Sequence, residues 1–282
     1  MVNTSDFDAF ASAIAGSDHE VDLFGAAMII ARLGNDRVNA HATAAALDVI
    51  AELARNHAGE GASADALAHA IDHQLFAVSG FHGNAEDYSD PRNSFLDEVV
   101  KRRMGIPITL SLVYMEIAQR IGLQCDGIGY PGHFIVRYGS EEAPVYVDPF
   151  QQGARIDRDE LLARLRSIHT GGATPESFLA AVTRRQIVQR MLNNLHLIYR
   201  ERRDLERWLA VVELQHRLEP WNATLVGERG MLCYRLGRVQ DALHDLERYV
   251  SAAGHDRPEA NPGAVRLLDQ LRLRYGGPGE AR

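Results

Sequence analysis

The chain has 282 residues, 46% apolar and 24% charged, with a formal net charge of −8, the balance of a soluble globular chain with two or three subdomains. It contains no run of eighteen apolar residues and only two cysteines, Cys125 and Cys233, which excludes a membrane-spanning helix and a disulfide framework. Fourteen acidic residues face three basic ones over residues 1–90, an imbalance that argues against nucleic acid docking there.

The opening MVNTSDFDAF is acidic and lacks the apolar core of a secretory leader, so the expected compartment is the cytoplasm. Residues 21–33, 40–54 and 62–76 are Ala-rich amphipathic segments broken at Gly34-Asn35-Asp36 and at Gly59 to Gly61. They predict an N-terminal helical region over residues 1–90. In the third segment His69 and His73 stand at the i, i+4 spacing that can grip a metal. No glutamate general base accompanies them and His82 is the one nearby extra ligand, so a solvated helix face, and no metal, is expected.

Residues 79–91, SGFHGNAEDYSDP, have turn composition and mark a subdomain boundary. Asn93 and Ser94 then form a helix entry, with Asp97 three residues past Ser94 as an approximate capping box. Residues 107–121 read as a helix, because Ile108, Leu112, Met115 and Ile117 recur at helical spacing, Pro107 suits the first turn and Gly122 closes the run. After Gly122 the period changes. Short β-prone runs at 124–129, 133–138 and 145–147 are separated by Tyr-Pro-Gly and Gly-Ser-Glu-Glu, the pattern of an antiparallel meander.

Two residues of that meander carry chemistry. His133 opens the second run and Asp148 closes the third, so both fall at one sheet edge, where a carboxylate can orient an imidazole. The helix start around Ile106 and Thr109 would complete such a site through its free N–H groups. With the hairpin centred on Pro131, Cys125 pairs near Arg137, about 13 Å along the sheet from His133 at the usual strand rise, and is expected to be a buried apolar residue.

Past Pro149, residues 157–165 read as a short charged helix, 170–176 as a loop, and Phe178 onward as helical nearly to the end. Gly230, Gly237, Ala242 and Leu246 fit a 34-residue unit over 223–256 that resembles a tetratricopeptide repeat; a degenerate unit precedes it at 189–222, and 262–275 would cap the stack. Arg184, Arg185, Arg190, Arg200, Arg202 and Arg203 suit an acidic tail, but pairing of many of them with Glu201, Asp204 and Glu206 along helix faces is the stronger expectation.

The wording Asn-Ser-Phe-Leu-Asp, Arg-Arg-x-Gly-Ile-Pro-Ile-Thr-Leu-Ser, Pro-Gly-His-Phe-Ile-Val-Arg and Val-Asp-Pro-Phe resembles the transglutaminase-like, papain-like core, and its SirB-type branch in particular, which joins that core to tetratricopeptide repeats. The resemblance implies a Cys-His-Asp triad, with His133 and Asp148 on two of its positions. The third, at the helix start, reads Ile106-Pro107-Ile108-Thr109-Leu110-Ser111 and holds no thiol. Thr109 and Ser111 are the substitute nucleophiles there, and a hydroxyl needs far stronger base assistance than a thiol.

The expectation is therefore an α+β protein: helical region 1–90, transglutaminase-like core 91–170 and repeat-like helices 171–282. Its leading function is that of a non-catalytic, cytoplasmic regulatory or scaffolding protein binding a protein or peptide. The alternative is an amide or ester hydrolase or acyltransferase using Thr109 or Ser111 with His133 and Asp148. There is no P-loop and no Gly-x-Gly-x-x-Gly fingerprint, so no cofactor is expected, and neither nucleic acid nor membrane is an expected partner. Composition does not fix the oligomeric state.

Overall fold

A computed structural model describes residues 3–168, 174–253 and 262–275. The chain is α+β and divides into two compact units, Met1–Asn194 and Leu195–Arg282.

The first unit opens with four helices: α1 (Thr4–Ala13), α2 (Leu23–Ala31), α3 (Ala40–Ala58) and α4 (Ala64–Asp72). Each start is capped by a short polar side chain, with Asn3, Asp22, Asn39 and Ser63 accepting from backbone N–H groups of the first turn. α1 precedes the first expected helix, and α4 passes into a wide π turn, His73–Val78, which rotates the apolar face away from a regular period.

The loop after this turn is tied down. His82–Gly83 (β1) pairs in parallel with Met104–Gly105 (β2) around α5 (Leu96–Arg102), a contact of two residues that no periodicity announces. The expected capping box at Ser94 and Asp97 does not form. Ser94 belongs to the tight turn Pro91–Ser94, Phe95 takes the N-cap position without a side-chain cap, and among the described residues the buried Ser94 Oγ and Asp97 Oδ1 have no hydrogen-bond partner. The burial of Phe95 sets this frame: a Cβ on Gly34 would sit 2.2 Å from its ring.

Helix α6 (Pro107–Ile121) has the expected bounds and Gly122 closes it in the left-handed conformation. It is buried on nearly every face, packing on α3, α4 and α5 and on the sheet. That sheet runs β3 (Cys125–Ile128), β4 (Ile135–Gly139), β5 (Pro144–Asp148) and β6 (Ala154–Ile156), antiparallel and in sequence order. Cys125 faces Tyr138 and Val136 faces Val147. The fourth strand was not expected; Arg155 on it pairs with Asp72 at the end of α4, 2.7 Å apart.

α7 (Arg158–Arg166) follows; residues 170–173 of the loop expected at 170–176 lie outside the described residues. Phe178 is not in a regular helix but in a tight turn, Pro175–Leu179. Val182 N–H donates to Gly127 O and Ala181 bridges Ile128, so this stretch is held extended against β3, and α8 (Arg184–Arg202) begins only after it. Asp18 accepts from the Arg184 and Arg185 amides there, and Thr183 and Gln186 exchange reciprocal bonds.

α8 begins in the first unit and ends in the second, which continues with α9 (Leu205–Leu218), α10 (Ala223–Arg235), α11 (Val239–Ala253) and α12 (Pro262–Tyr275). The α10–α11 pair and α12 fall on the expected repeat and cap, although residues 254–256 of that repeat lie outside the described residues. Val212, Leu225, Leu232, Leu246, Tyr249 and Leu268 share the core. Gly227 and Gly230 let α11 approach, since a Cβ on either would come within 2.9 Å of Tyr249 or Leu246.

Candidate functional site

The site begins with a tight turn. Pro131 and Gly132 occupy its centre, Gly132 has φ of 71°, and His133 N–H donates to Tyr130 O at 3.0 Å, the pattern of a type II turn. His133 therefore stands in the turn, two residues before β4 rather than as its first residue. Across the edge, Asp148 ends β5 and caps the turn Pro149–Gln151, its Oδ1 accepting from Phe150 N–H at 3.0 Å and Gln151 N–H at 3.3 Å. Its other oxygen, Oδ2, lies 2.7 Å from His133 Nε2.

This division fixes the imidazole. With an ionised Asp148 accepting only, Nε2 carries the proton and donates, which leaves Nδ1 to face other groups. Asp148 is buried, whereas the His133 side chain retains 25% of its exposure, so a ligand can reach the ring but not the carboxylate behind it. Phe150 closes one side. Its ring meets His133 edge-on with centroids 5.9 Å apart and Tyr88 at 6.5 Å, and it lies against Gly83, where a Cβ would be 2.5 Å from the ring.

The expected nucleophiles are placed elsewhere. Thr109 and Ser111 are fully buried. Thr109 Oγ1 donates to Asn93 O at 2.7 Å and accepts from Ile106 N–H; Ser111 Oγ donates to Phe134 O at 3.3 Å. Neither is hydrogen-bonded to His133. In the first turn of α6 the Thr109 and Leu110 amides both donate to Ile106 O and Pro107 has none, which leaves little there for an oxyanion. Cys125 sits at the far end of β3, and burial pushes its thiol up to about 12.

His69 and His73 do not converge: His69 Nδ1 bonds Asp65 O at 2.7 Å, and the His73 ring packs on His57 with centroids 4.5 Å apart. His82 Nδ1 is taken by Gly80 O. Among the described residues no cluster of three or more His, Cys, Asp or Glu could hold a metal. Arg184 and Arg185 reach the backbone carbonyls of Val21 and Gly16 rather than Glu201, Asp204 or Glu206, because the chain's own N-terminal loop lies over them.

Three further residues build the site: Tyr88, Phe150 and Arg190. Phe150 follows Val-Asp-Pro directly, so its aromatic character beside the aspartate was a usable signal. Arg190 was among the arginines that suit an acidic tail, but nothing in the sequence ties it to His133, 57 residues away along the chain.

Residues 41–193 match the transglutaminase-like superfamily and residues 195–269 a tetratricopeptide repeat. A UPF0162 protein of Pseudomonas aeruginosa is 31% identical over 239 residues, 80% of this chain and 83% of that protein. A UPF0162 protein of Xylella fastidiosa is 36% identical over 186 residues, 64% of this chain, and the chain spans 66% of its length. Human F-box only protein 21 is 30% identical over 134 residues, 45% of this chain and 20% of that protein. No solved structure matches.

Proposed function

Because the chain belongs to the UPF0162, SirB-type branch of the transglutaminase-like superfamily, with tetratricopeptide repeats after its core, we propose that it is a non-catalytic binding protein. It recognises a protein or peptide at the His133–Asp148 end of the sheet, and the repeat helices add contact surface. The observation that carries this reading is the commitment of both hydroxyls. Thr109 and Ser111 are buried and hydrogen-bonded to backbone carbonyls, so neither hydroxyl is offered to His133 as a nucleophile. Tetratricopeptide repeats generally mediate contacts between proteins, which supports a macromolecular partner. Among the described residues no helix is long and apolar enough to cross a membrane. A cytoplasmic location is part of this proposal.

A second reading, hydrolase or acyltransferase, draws on the dyad itself, whose carboxylate-bound Nε2 leaves Nδ1 as a base. Affinity capture from the native cytoplasm separates the two. Wild type, His133→Ala and Thr109→Ala/Ser111→Ala, each folded by circular dichroism, are compared, and captured partners are weighed by mass spectrometry. A partner lost with His133→Ala and recovered with unchanged mass supports binding. Cleavage or modification by wild type but not by the hydroxyl variant establishes an enzyme.

A further inference from the structure

Arg190 reaches from α8 to the turn that presents His133. Its Nη2 donates to His133 O at 3.0 Å and Tyr130 O at 3.3 Å, and its guanidinium lies over the Phe134 ring, 5.4 Å from the centroid. Gly129 makes room for it, since a Cβ there would come within 2.9 Å of Nη1. Among the described residues neither Nε nor Nη1 has a hydrogen-bond partner, and no carboxylate forms an ion pair with this guanidinium.

That absence separates Arg190 from several partly buried arginines, although Arg184 and Arg185 are likewise bound to backbone carbonyls. Arg120 pairs with Glu116 and Asp48, Arg155 with Asp72, and Arg229 with Asp245. Burial pushes the Arg190 guanidinium below its ordinary value. The ionisable group acting on it is the Tyr88 phenol, which burial pushes up and which is therefore neutral at pH 7. A partly buried cation without a counter-charge is costly to keep. Its backbone bonds secure a turn; they do not balance its charge.

We propose that Arg190, beside His133 and near Tyr88, receives a carboxylate of the bound partner, either a chain terminus or an acidic side chain. The proposal rests on the binding reading above and gives its ligand a chemistry. One guanidinium balances one negative charge, which suits a carboxylate. The spare Nη1 and Nε donors supply charge-assisted hydrogen bonds to the incoming oxygen.

The test follows the His133 imidazole resonances of the full chain by NMR during titration with three probes. N-acetyl-leucine carries a terminal carboxylate, N-acetyl-glutamate α-amide a side-chain carboxylate, and N-acetyl-leucinamide none. Saturable shifts at His133 are expected with one or both carboxylates and at least tenfold weaker with the neutral amide; the tighter carboxylate identifies the source. Arg190→Gln removes the preference and Arg190→Lys retains most of it. Gly129→Ala keeps the charge but crowds Nη1, and weakens carboxylate binding severalfold. It provides the second variant should Arg190→Gln fail to fold. A purely structural Arg190 would not make wild type discriminate carboxylate from amide. Equal shifts from all three probes overturn the carboxylate role and leave the binding reading standing. No shift at His133 from any probe overturns both.

Discussion

One aspartate, Asp148, makes three hydrogen bonds with its two oxygens, two to the turn that follows it and one to His133. Asp148→Asn keeps the shape but places an amide where an acceptor is required. It should lower stability by about 1–3 kcal/mol in urea unfolding and release the imidazole, seen as loss of a single His133 side-chain NMR environment. Thr109→Ala strips the buried Asn93 carbonyl and the Ile106 amide of a partner, so a loss of about 1–3 kcal/mol is expected, with partner binding retained in proportion to folded protein. Asp97 behaves oppositely. Burial raises its pKa, and among the described residues its Oδ1 has no hydrogen-bond partner. A carboxyl whose folded value lies above its unfolded one destabilises the fold once pH exceeds the folded value and costs nothing below the unfolded one, near 4. Asp97→Asn should therefore be more stable than wild type at pH 7, with the advantage vanishing towards pH 3; equal midpoints of urea unfolding across that range would count against it.

Among the elements, the Tyr130–His133 turn decides where the imidazole stands. Gly132 has φ of 71°, which a side chain resists by about 1–2 kcal/mol, so Gly132→Ala should destabilise by that amount and loosen the His133–Asp148 contact. The measurement is the urea midpoint together with the His133 resonances; a stable variant with wild-type resonances would refute the argument. In the second unit helix propensity and packing conflict. Gly227→Ala gains about 1 kcal/mol of helix propensity, but its Cβ meets the Tyr249 ring at 2.9 Å, and overpacking of about 1–3 kcal/mol outweighs the gain. A net loss is expected.

For the whole molecule, two compact units imply two sets of opening reactions. In hydrogen exchange, Gly227→Ala should lower protection across α10 and α11 while leaving α6 at wild-type rates, because α6 draws its burial from α3, α4, α5 and the sheet. Equal losses in α6 and α10 would mean that the chain opens as one cooperative body. The acid surplus of residues 1–90 leaves the other residues net basic. Arg184 and Arg185 are spent on the N-terminal loop, and among the described residues no carboxylate pairs with Arg190 beside the site.

Local chemistry settled much of this protein in advance. The period of Ile108, Leu112 and Ile117, bounded by Pro107 and Gly122, specifies α6, and Pro131-Gly132 specifies the turn that puts His133 at the edge where Asp148 ends its strand. Such features follow from backbone sterics and spacing within a few residues, so they are legible in the chain itself. Tertiary structure decided what depends on distant partners. It spent the Thr109 and Ser111 hydroxyls on the Asn93 and Phe134 carbonyls, moved the α5 start to suit a buried Phe95, and carried Arg190 to the His133 turn without a carboxylate. Those outcomes depend on which donors and acceptors burial brings together, and spacing along the chain does not encode them.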